Sequence, residues 1–371
     1  MKLSRIIPPV FAALCMGCST SRTLEVENRS DFDRHEIVGI RLDALGDEVG
    51  DAPFRIVDSD GSEIPCQLTF DGNLIFPARV GANSTARYTI EQGESAKADT
   101  IACGSFHPER KDDLAWENDR AAYRAYGPAI QAAGERSYGY DIWTKSVASP
   151  VVSRRYHDHI SGVRSYHEDH GDGMDAYTVG PTLGGGTAAL IDSVGNILYP
   201  WSFSTYEILD NGPLRFTVRL GYEGGETRLI SLDAGEFLNR TEVRFPAKEH
   251  STVASGIVIH RQNPDGYFLS PDNCFMAYAD LTDNADNGNG VIYIGVVVPE
   301  VDSMQAVPLE EAAGDAIGHI LAKKSLSPAE SFTYWWGSGW SKGAMPDWTT
   351  WKQYLADFNK RLKCPLEVKC L

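Results

Sequence analysis

The chain has 371 residues, of which 42% are apolar, and its 34 Lys+Arg against 51 Asp+Glu give a formal net charge of −17. This length and apolar fraction suffice for a packed core in two domains or one large β domain, and they argue against a disordered chain. The acidic balance excludes nucleic acid as a partner, because phosphate contacts need a basic surface. Residues 106–170 nevertheless hold nine Lys+Arg and ten Asp+Glu. An anionic ligand can therefore bind locally in that segment.

Residues 1–18 have the pattern of a lipoprotein signal peptide. Lys2 and Arg5 precede an apolar stretch that is too short to span a bilayer. Residues 14–18 resemble a bacterial lipobox, with Cys15 standing where Leu is usual and Cys18 as the residue that takes the lipid. We therefore expect the mature chain to be exported and lipid-anchored at the outer membrane or in the periplasm. An ordinary secretory signal is the alternative.

Short segments typical of strands follow, separated by turns rich in Asp, Gly, Asn and Ser. They cover residues 22–28, 36–42, 54–57, 67–70, 74–77 and 86–90, then 215–220, 227–233, 239–245, 253–259 and 291–298. The fold class predicted is mainly β. We expect a small β-sandwich over residues 22–98, a polar boundary near residues 92–99, and a large antiparallel sandwich over residues 99–371.

Near the C-terminus, apolar residues at helical spacing predict one amphipathic helix packed across a sandwich face. Trp351, Leu355 and Phe358 lie on its apolar side, and Asp347 is placed to cap its start. The five cysteines that follow the signal peptide have no Cys-x-x-Cys spacing, so no thiolate metal site is predicted. Cys364 and Cys370 either close a short loop as a disulfide or remain free thiols.

Residues 113–127 are dense in charged and aromatic side chains. In a strand, Trp116, Asn118, Arg120 and Arg124 would share one face, and in a helix the two arginines would still align. Two guanidiniums beside an amide and aromatic rings suit a sugar carboxylate or sulfate. A salt-bridged surface is the alternative interpretation.

A histidine- and tyrosine-rich segment spans residues 156–177. Four of the nine histidines fall within 14 residues, with His157 and His159 expected on one strand face and His167 and His170 astride a turn. Histidine titrates nearest physiological pH and serves as a base, an acid or a metal ligand. We prefer proton transfer by His167 or His170 with Tyr166 or Tyr177. Metal binding with Glu168 or Asp169 is the alternative. No cofactor is predicted.

Three tryptophans fall within residues 335–340. Trp340 and the following Lys342 could face a sugar at a pocket rim, since indole rings stack on pyranose faces. The alternative is an aromatic plug buried between the sandwich and the helix.

The motifs resemble those of a family of exported proteins from glycan-utilisation loci. They are Pro-Glu-Arg-Lys-Asp-Asp at 108–113, Trp-Glu-Asn-Asp-Arg at 116–120, Tyr-His-Glu-Asp-His-Gly at 166–171, Val-Gly-Pro-Thr-Leu-Gly at 179–184, Ala-Tyr-Ala-Asp at 277–280 and Gly-Val-Val-Val-Pro at 295–299. The resemblance covers residues 22–360. That family is similar to the oligosaccharide dehydratase of ulvan degradation, which implies a galactose-mutarotase-type supersandwich and removal of water from a non-reducing-end uronic acid. Fold alone decides nothing about activity.

The residues can be matched to that reaction. Removing the C5 proton of a uronate creates a carboxylate-stabilised carbanion, so the site needs a cation at the carboxylate, a base, and an acid for the departing 4-hydroxyl. Arg120 and Arg124, with Asn118, fit the first role. His167 or His170 fits the base and Tyr166 or Tyr177 the acid, and the exchange of these two roles is the alternative. We therefore expect a dehydratase acting on uronic-acid oligosaccharides. A polysaccharide lyase and a non-catalytic glycan-binding lipoprotein are the alternatives.

Overall fold

The computed structural model describes residues 21–46, 53–246, 251–283 and 285–371. Cys18 and the predicted signal peptide lie outside the described residues. A small sandwich comes first, and its two sheets enclose a core that includes Leu24, Val26, Phe76 and Ile90. Its strands are β1 (Arg22–Asn28), β2 (Arg34–Arg41), β3 (Phe54–Val57), β4 (Glu63–Ile64), β5 (Gln67–Leu68), β6 (Asn73–Val80) and β7 (Ser84–Gln92).

A four-stranded antiparallel sheet follows. Its elements are β8 (Cys103–His107), β9 (Asp113–Glu117), β10 (Ala121–Ala125), helix α1 (Pro128–Ala132) and β11 (Asp141–Thr144). The strand order is β11-β10-β9-β8. Helix α2 (Val152–Ile160) then crosses its outer face. A bridge between Tyr140 and Gly184 joins this sheet to the next one.

The large sandwich is built from two further antiparallel sheets. The strands are β12 (Gly185–Ile191), β13 (Ile197–Leu198), β14 (Thr205–Asn211), β15 (Arg215–Gly221), β16 (Thr227–Asp233), β17 (Leu238–Arg244), β18 (Ser251–His260), β19 (Tyr267–Ser270), β20 (Phe275–Asp280), β21 (Ile292–Val297), β22 (Ser303–Ala313), β23 (Ala316–Leu326) and β24 (Phe332–Trp340). One sheet has the order β13-β12-β18-β23-β22 and the other β14-β15-β16-β17-β24-β21-β20-β19. Short 3₁₀ turns cover Leu42–Leu45, Pro108–Arg110, Pro271–Asn273 and Ala285–Asn287. The main core lies between the eight-stranded sheet and the layer formed by the other two.

Helix α3 (Trp348–Lys363) packs on the opposite face of the eight-stranded sheet, as its apolar spacing predicts. Asp347 caps it by accepting a hydrogen bond from the Thr350 amide at 2.9 Å. Trp351 is fully buried, and its indole N–H donates to the Ile294 carbonyl at 3.1 Å. Among the described residues, no helix is long and apolar enough to cross a membrane.

The last strand, β25 (Glu367–Cys370), returns to the small sandwich and pairs with β1. The assignment of residues up to 371 to the large unit is therefore wrong for this strand, because the open edge of β1 needs a hydrogen-bonding partner. Cys370 lies opposite Leu24 in that pair, and both Cys364 and Cys370 are free thiols. The mainly β fold with a small first sandwich, a larger second one and a C-terminal helix is confirmed.

Candidate functional site: a histidine- and tyrosine-rich surface above a buried arginine

The turn between β9 and β10 decides which side chains share a face. The Asn118 side-chain oxygen accepts from the amides of Arg120 and Ala121, and its NH₂ donates to the carbonyls of Asp233 and Glu236, both at 2.7 Å. Asn118 is completely buried. With these hydrogen bonds made, Asn118 holds the hairpin, and it is not available to bind a sugar.

This hairpin places Trp116 and Arg124 on opposite faces of the sheet. Trp116 is fully buried in the inner core, where its indole N–H donates to Asn239 at 2.7 Å. Arg124 lies on the outer face with Ala122 and Asp113. The expectation that Trp116, Asn118, Arg120 and Arg124 share one face is wrong, because the turn interrupts the alternation of the strand.

The two predicted carboxylate-binding arginines do not converge. Arg120 lies 5.5 Å over the Phe237 ring, pairs with Asp119 at 3.2 Å and donates to the Gly235 carbonyl at 3.3 Å. It lines a groove between the two sandwiches, together with His35 and Arg361. Arg120 is therefore a residue of the domain boundary, whereas Arg124 points into the outer face of the four-stranded sheet.

Arg124 is buried among three carboxylates. It pairs with Asp141, with Asp175 at 3.1 Å and with Asp113 at 3.7 Å, and it donates to the Tyr126 hydroxyl at 3.2 Å. Burial raises the pKa of Asp113 to about 6, against the opposing effect of Arg124. Burial and the charge of Asp141 raise the pKa of Asp175 well above its usual value. We call these four charged residues the Arg124 cluster. Its own acids balance the guanidinium charge, although Nε and Nη1 have no hydrogen-bond partner among the described residues. Because the side chain is also buried, Arg124 is a poor candidate for binding a substrate carboxylate.

Helix α2 and the segment after it cover the Arg124 cluster. Glu117 fixes the start of the helix, because its carboxylate accepts from the amides of Val151 and Val152 at 2.9 and 2.8 Å and pairs with Lys145 at 2.6 Å. His157 and His159 lie on this helix, so the expectation of a shared strand face is wrong. Residues two apart on a helix do not face the same way.

Tyr166 and Arg110 meet above the cluster. The buried Tyr166 hydroxyl accepts from Arg110 Nε at 3.1 Å, and the Arg110 side chain remains partly exposed. The Tyr166 ring lies 3.9 Å from the His159 ring in a stacked arrangement and 6.0 Å from the Arg124 guanidinium. The Arg124 cluster therefore supports a second, accessible arginine that sequence reasoning did not select.

His167 completes this surface. Its ring lies 4.6 Å from that of Tyr166, and its side chain is 51% exposed. Nδ1 lies 3.1 Å from the Asp175 carbonyl oxygen. A carbonyl can only accept, so Nδ1 carries the hydrogen and Nε2 carries the lone pair of the neutral ring. We call Arg110, His159, Tyr166 and His167 the surface cluster. His170 is exposed, and its Nε2 lies 3.0 Å from the Ser165 carbonyl.

Tyr177 lies apart from this surface, in the interior between the sheets. Its ring is 5.6 Å from that of His260, whose Nδ1 is 2.6 Å from Asp280. The Tyr177 hydroxyl and His260 Nε2 are buried without a hydrogen-bond partner among the described residues. Burial and the charge of Asp280 raise the pKa of Tyr177 well above 10. Burial lowers the pKa of His260, but the hydrogen bond and charge of Asp280 outweigh it and the net change is upward.

The tryptophan-rich strand is an aromatic plug. Trp336 is fully buried and Trp340 is 2% exposed, with its indole N–H donating to the Asn289 carbonyl at 2.8 Å. Lys342 lies exposed in the turn after β24. The expectation that Trp340 faces a sugar at a pocket rim is wrong, since this ring has no free face.

Some residues of the site were missed as individual candidates although their motifs were noticed. Arg110 lies in the motif at 108–113 and Asp280 in the motif at 277–280. Asp175 and His260 gave no signal, because their partners are distant in sequence. Across the described ranges, no group of three or more His, Cys, Asp or Glu side chains is arranged to hold a metal ion.

Comparisons with known proteins place the chain in a family. It is 27% identical over 315 residues to "Uncharacterized protein P7" of Formosa agariphila, covering 80% of this chain and 77% of that protein. Among solved structures it is similar, at a TM-score of 0.50 and 8% identity, to a protein in the glycosyl hydrolase family 38 from Enterococcus faecalis. That match covers 95% of this chain and 47% of the other, so the chain spans about half its length, and the likeness concerns the fold alone. Residues 26–368 match the family described as Domain of unknown function (DUF4861), and the chain belongs to that family.

Proposed function

We propose that this protein is a carbon–oxygen lyase, a dehydratase that removes water from the non-reducing-end uronic acid of an oligosaccharide by β-elimination. The observation that carries the proposal is that the partly exposed Arg110 and the exposed His167 both contact Tyr166, a residue that is itself 3% exposed. The product would be a 4,5-unsaturated sugar. The resemblance of the sequence motifs to a family that is itself similar to the ulvan oligosaccharide dehydratase supports the same reaction.

Arg110 takes the role that the sequence suggested for Arg120, Arg124 and Asn118. Only its Nε is used by Tyr166, and the rest of a partly exposed guanidinium can bind a carboxylate through two N–H groups. A cation at the uronate carboxylate stabilises the negative charge that develops when the C5 proton leaves. Because Arg110 binds Tyr166 as well, it also fixes the position of the phenol.

His167 is the base and Tyr166 the acid in this proposal. His167 Nε2 takes the C5 proton, the C4–C5 double bond forms and the C4–O bond breaks. The departing oxygen takes the Tyr166 proton and leaves as water, and the imidazolium returns its proton to the phenolate. The Asp175 carbonyl, 3.1 Å from Nδ1, holds His167 in the tautomer that this step needs. The Tyr166 oxygen accepts from Arg110, so its hydrogen remains free to be donated.

The proposed setting is a lipid anchor at Cys18, at the outer membrane or in the periplasm, where oligosaccharides released from a polysaccharide are available. The chain needs no cofactor for this reaction, since the elimination is a proton transfer assisted by one cation.

The test is to incubate the protein with uronate-terminated oligosaccharides and follow absorbance at about 235 nm, where a conjugated enol-ether acid absorbs. We expect turnover by the wild type and a loss of kcat of about 10²–10⁴-fold in His167→Gln. The matched control is His157→Gln, because His157 belongs to the same histidine-rich segment but is 78% exposed on helix α2.

Three outcomes decide between the alternatives. Elimination only from uronates whose 4-oxygen carries a sugar would identify a polysaccharide lyase and overturn the dehydratase. Binding without any absorbance change across the panel would identify a glycan-binding protein. Equal activity of the His157 and His167 variants would remove His167 from the mechanism.

A further inference from the structure

An exposed aromatic patch lies outside the surface cluster. Trp201 is 47% exposed, and its ring lies 5.4 Å from that of Tyr138, which in turn lies 5.5 Å from that of Tyr199. Tyr138 and Tyr199 are half-buried, and burial raises the pKa of Tyr199 to about 12. We call these three residues the aromatic patch. Single exposed apolar residues are ordinary, whereas contiguous exposed apolar surface is typical of binding sites, and here one exposed ring continues into two half-buried ones.

The chain connects this patch to Arg110. Lys111, the next residue after Arg110, pairs with Glu135. Tyr138 follows Glu135 by three residues, a separation that the backbone can stretch to at most about 11 Å. The Tyr138 amide also donates to the Gly180 carbonyl at 3.3 Å, which holds the patch against the loop that follows Tyr177. Only one ion pair and two short stretches of chain therefore separate Arg110 from the patch, as an oligosaccharide that binds both requires.

The chemistry of the patch favours a sugar ring over an apolar surface. Indole and phenol rings stack on pyranose faces and supply N–H and O–H groups at their edges. Arg136 lies beside the patch in sequence, is exposed, and its guanidinium has no ion pair or hydrogen bond in the part of the chain that the structure describes. A free arginine two residues before one of the stacking rings suits a sugar that carries a carboxylate or a sulfate.

We propose that Tyr138, Tyr199 and Trp201, with Arg136, form a subsite for a second, anionic sugar residue of the oligosaccharide whose terminal uronate lies at Arg110. This inference rests on the proposed function. It assigns the aromatic stacking that the sequence suggested for Trp116 and Trp340 to Trp201, which is accessible.

The experiment measures affinity by calorimetry for glucuronate and for a glucuronate-terminated tetrasaccharide with acidic residues, using His167→Gln protein so that the ligand persists. The added residues should increase the affinity of this reference protein. Trp201→Ala should weaken tetrasaccharide binding by about three- to tenfold and leave glucuronate binding unchanged. Arg136→Gln should weaken binding of the acidic tetrasaccharide but not of a neutral analogue that keeps the terminal glucuronate. The matched control is Phe268→Ala, an aromatic residue 39% exposed on β19, at the opposite edge of the eight-stranded sheet from β14.

The proposal is overturned if Trp201→Ala binds the tetrasaccharide like the reference protein, if it loses affinity for both ligands alike, or if the tetrasaccharide binds the reference protein no better than glucuronate. A change in sedimentation with no change in affinity would make the patch a contact between copies and would also overturn it. If Trp201→Ala weakens tetrasaccharide binding while the wild type catalyses no elimination, the subsite proposal stands and the dehydratase proposal fails. If the wild type catalyses elimination and Trp201→Ala binds the tetrasaccharide as the reference protein does, the dehydratase proposal stands and the subsite proposal fails.

Discussion

Both faces of the four-stranded sheet are buried at β9 and β10, but they differ in their charged side chains. The inner face presents Leu114, Trp116 and Tyr123 to the main core. The outer face presents Asp113 and Arg124 to helix α2 and the loop that follows it. Burial by itself therefore does not distinguish a structural face from one that supports a site.

The difference is informative because charge is costly to bury. Replacing a buried ion cluster by apolar residues is often neutral or stabilising, so the Arg124 cluster, which lies beside apolar residues such as Trp143, needs a reason other than stability. We propose that the Arg124 cluster positions the residues that lie above it, Tyr166 and His167. The Arg124 guanidinium lies 6.0 Å from the Tyr166 ring, and Asp175 reaches both Arg124 and His167.

Among the substitutions that test this comparison, Arg124→Gln should lower the free energy of unfolding most. It leaves Asp113, Asp141 and Asp175 buried without their cation, and we expect a loss of about 3–5 kcal/mol in the free energy of unfolding, measured by urea denaturation. The matched control is Arg120→Gln, since that side chain is 36% exposed and its pair with Asp119 is worth about 0–1 kcal/mol. Similar losses in the two variants would contradict the distinction drawn between these arginines.

Asp113→Asn is a second test of the outer face, because its effect on stability should change with pH. Burial raises the pKa of Asp113 to about 6 in the folded state, whereas an unfolded aspartate titrates at about 3.9. Between these pH values the folded state holds more protons, so this group makes the wild type less stable as pH rises. The variant should therefore gain up to about 3 kcal/mol relative to the wild type between pH 4 and about pH 7.

Denaturation curves for the wild type and Asp113→Asn across that pH range measure the difference between their free energies of unfolding. The contributions of other titrating groups largely cancel in this difference. Asp112→Asn serves as the neighbouring control, because Asp112 is only partly buried and lies outside the Arg124 cluster. A difference between wild type and Asp113→Asn that does not change with pH would show that Asp113 is not protonated preferentially in the folded state.

Trp116→Phe tests the inner face and has the smallest expected effect. It removes the indole N–H that donates to Asn239 at 2.7 Å and leaves that buried oxygen without this donor. We expect a loss of about 1–3 kcal/mol in stability. In the proposed reaction, kcat below the melting temperature should stay at the wild-type value. A fall in kcat with stability retained would make the inner face part of the site.

Local patterns were sufficient for much of the fold. The turn residues and strand-like segments predicted eleven of the 25 strands among the described residues to within a few residues, including most of the small sandwich. The spacing of Trp351, Leu355 and Phe358 predicted helix α3 with its Asp347 cap. Helix α2 was missed as a helix. Its residues are polar, and the start of the helix depends on Glu117, a partner more than 30 residues away.

The candidate site was harder to predict for the same reason. His167 and Tyr166 are neighbours in sequence, so their association was visible in the segment itself. Arg110 meets Tyr166 across 56 residues, and His260 meets Asp280 between two strands of different sheets. Spacing alone also paired Arg120 with Arg124, which the turn at Asn118 then separates.

The sequence by itself determined the β architecture, the C-terminal helix and the segment of near-neutral charge in which the histidines and tyrosines concentrate, because periodicity, turn chemistry and composition are local properties. Only the tertiary structure decided that Arg124 is enclosed by aspartates, that Arg110 is the accessible cation, and that Trp116 and Trp340 are core residues while Trp201 is exposed. Those outcomes depend on which faces pack against each other. The acidity of the whole chain therefore does not predict the charge of its candidate site.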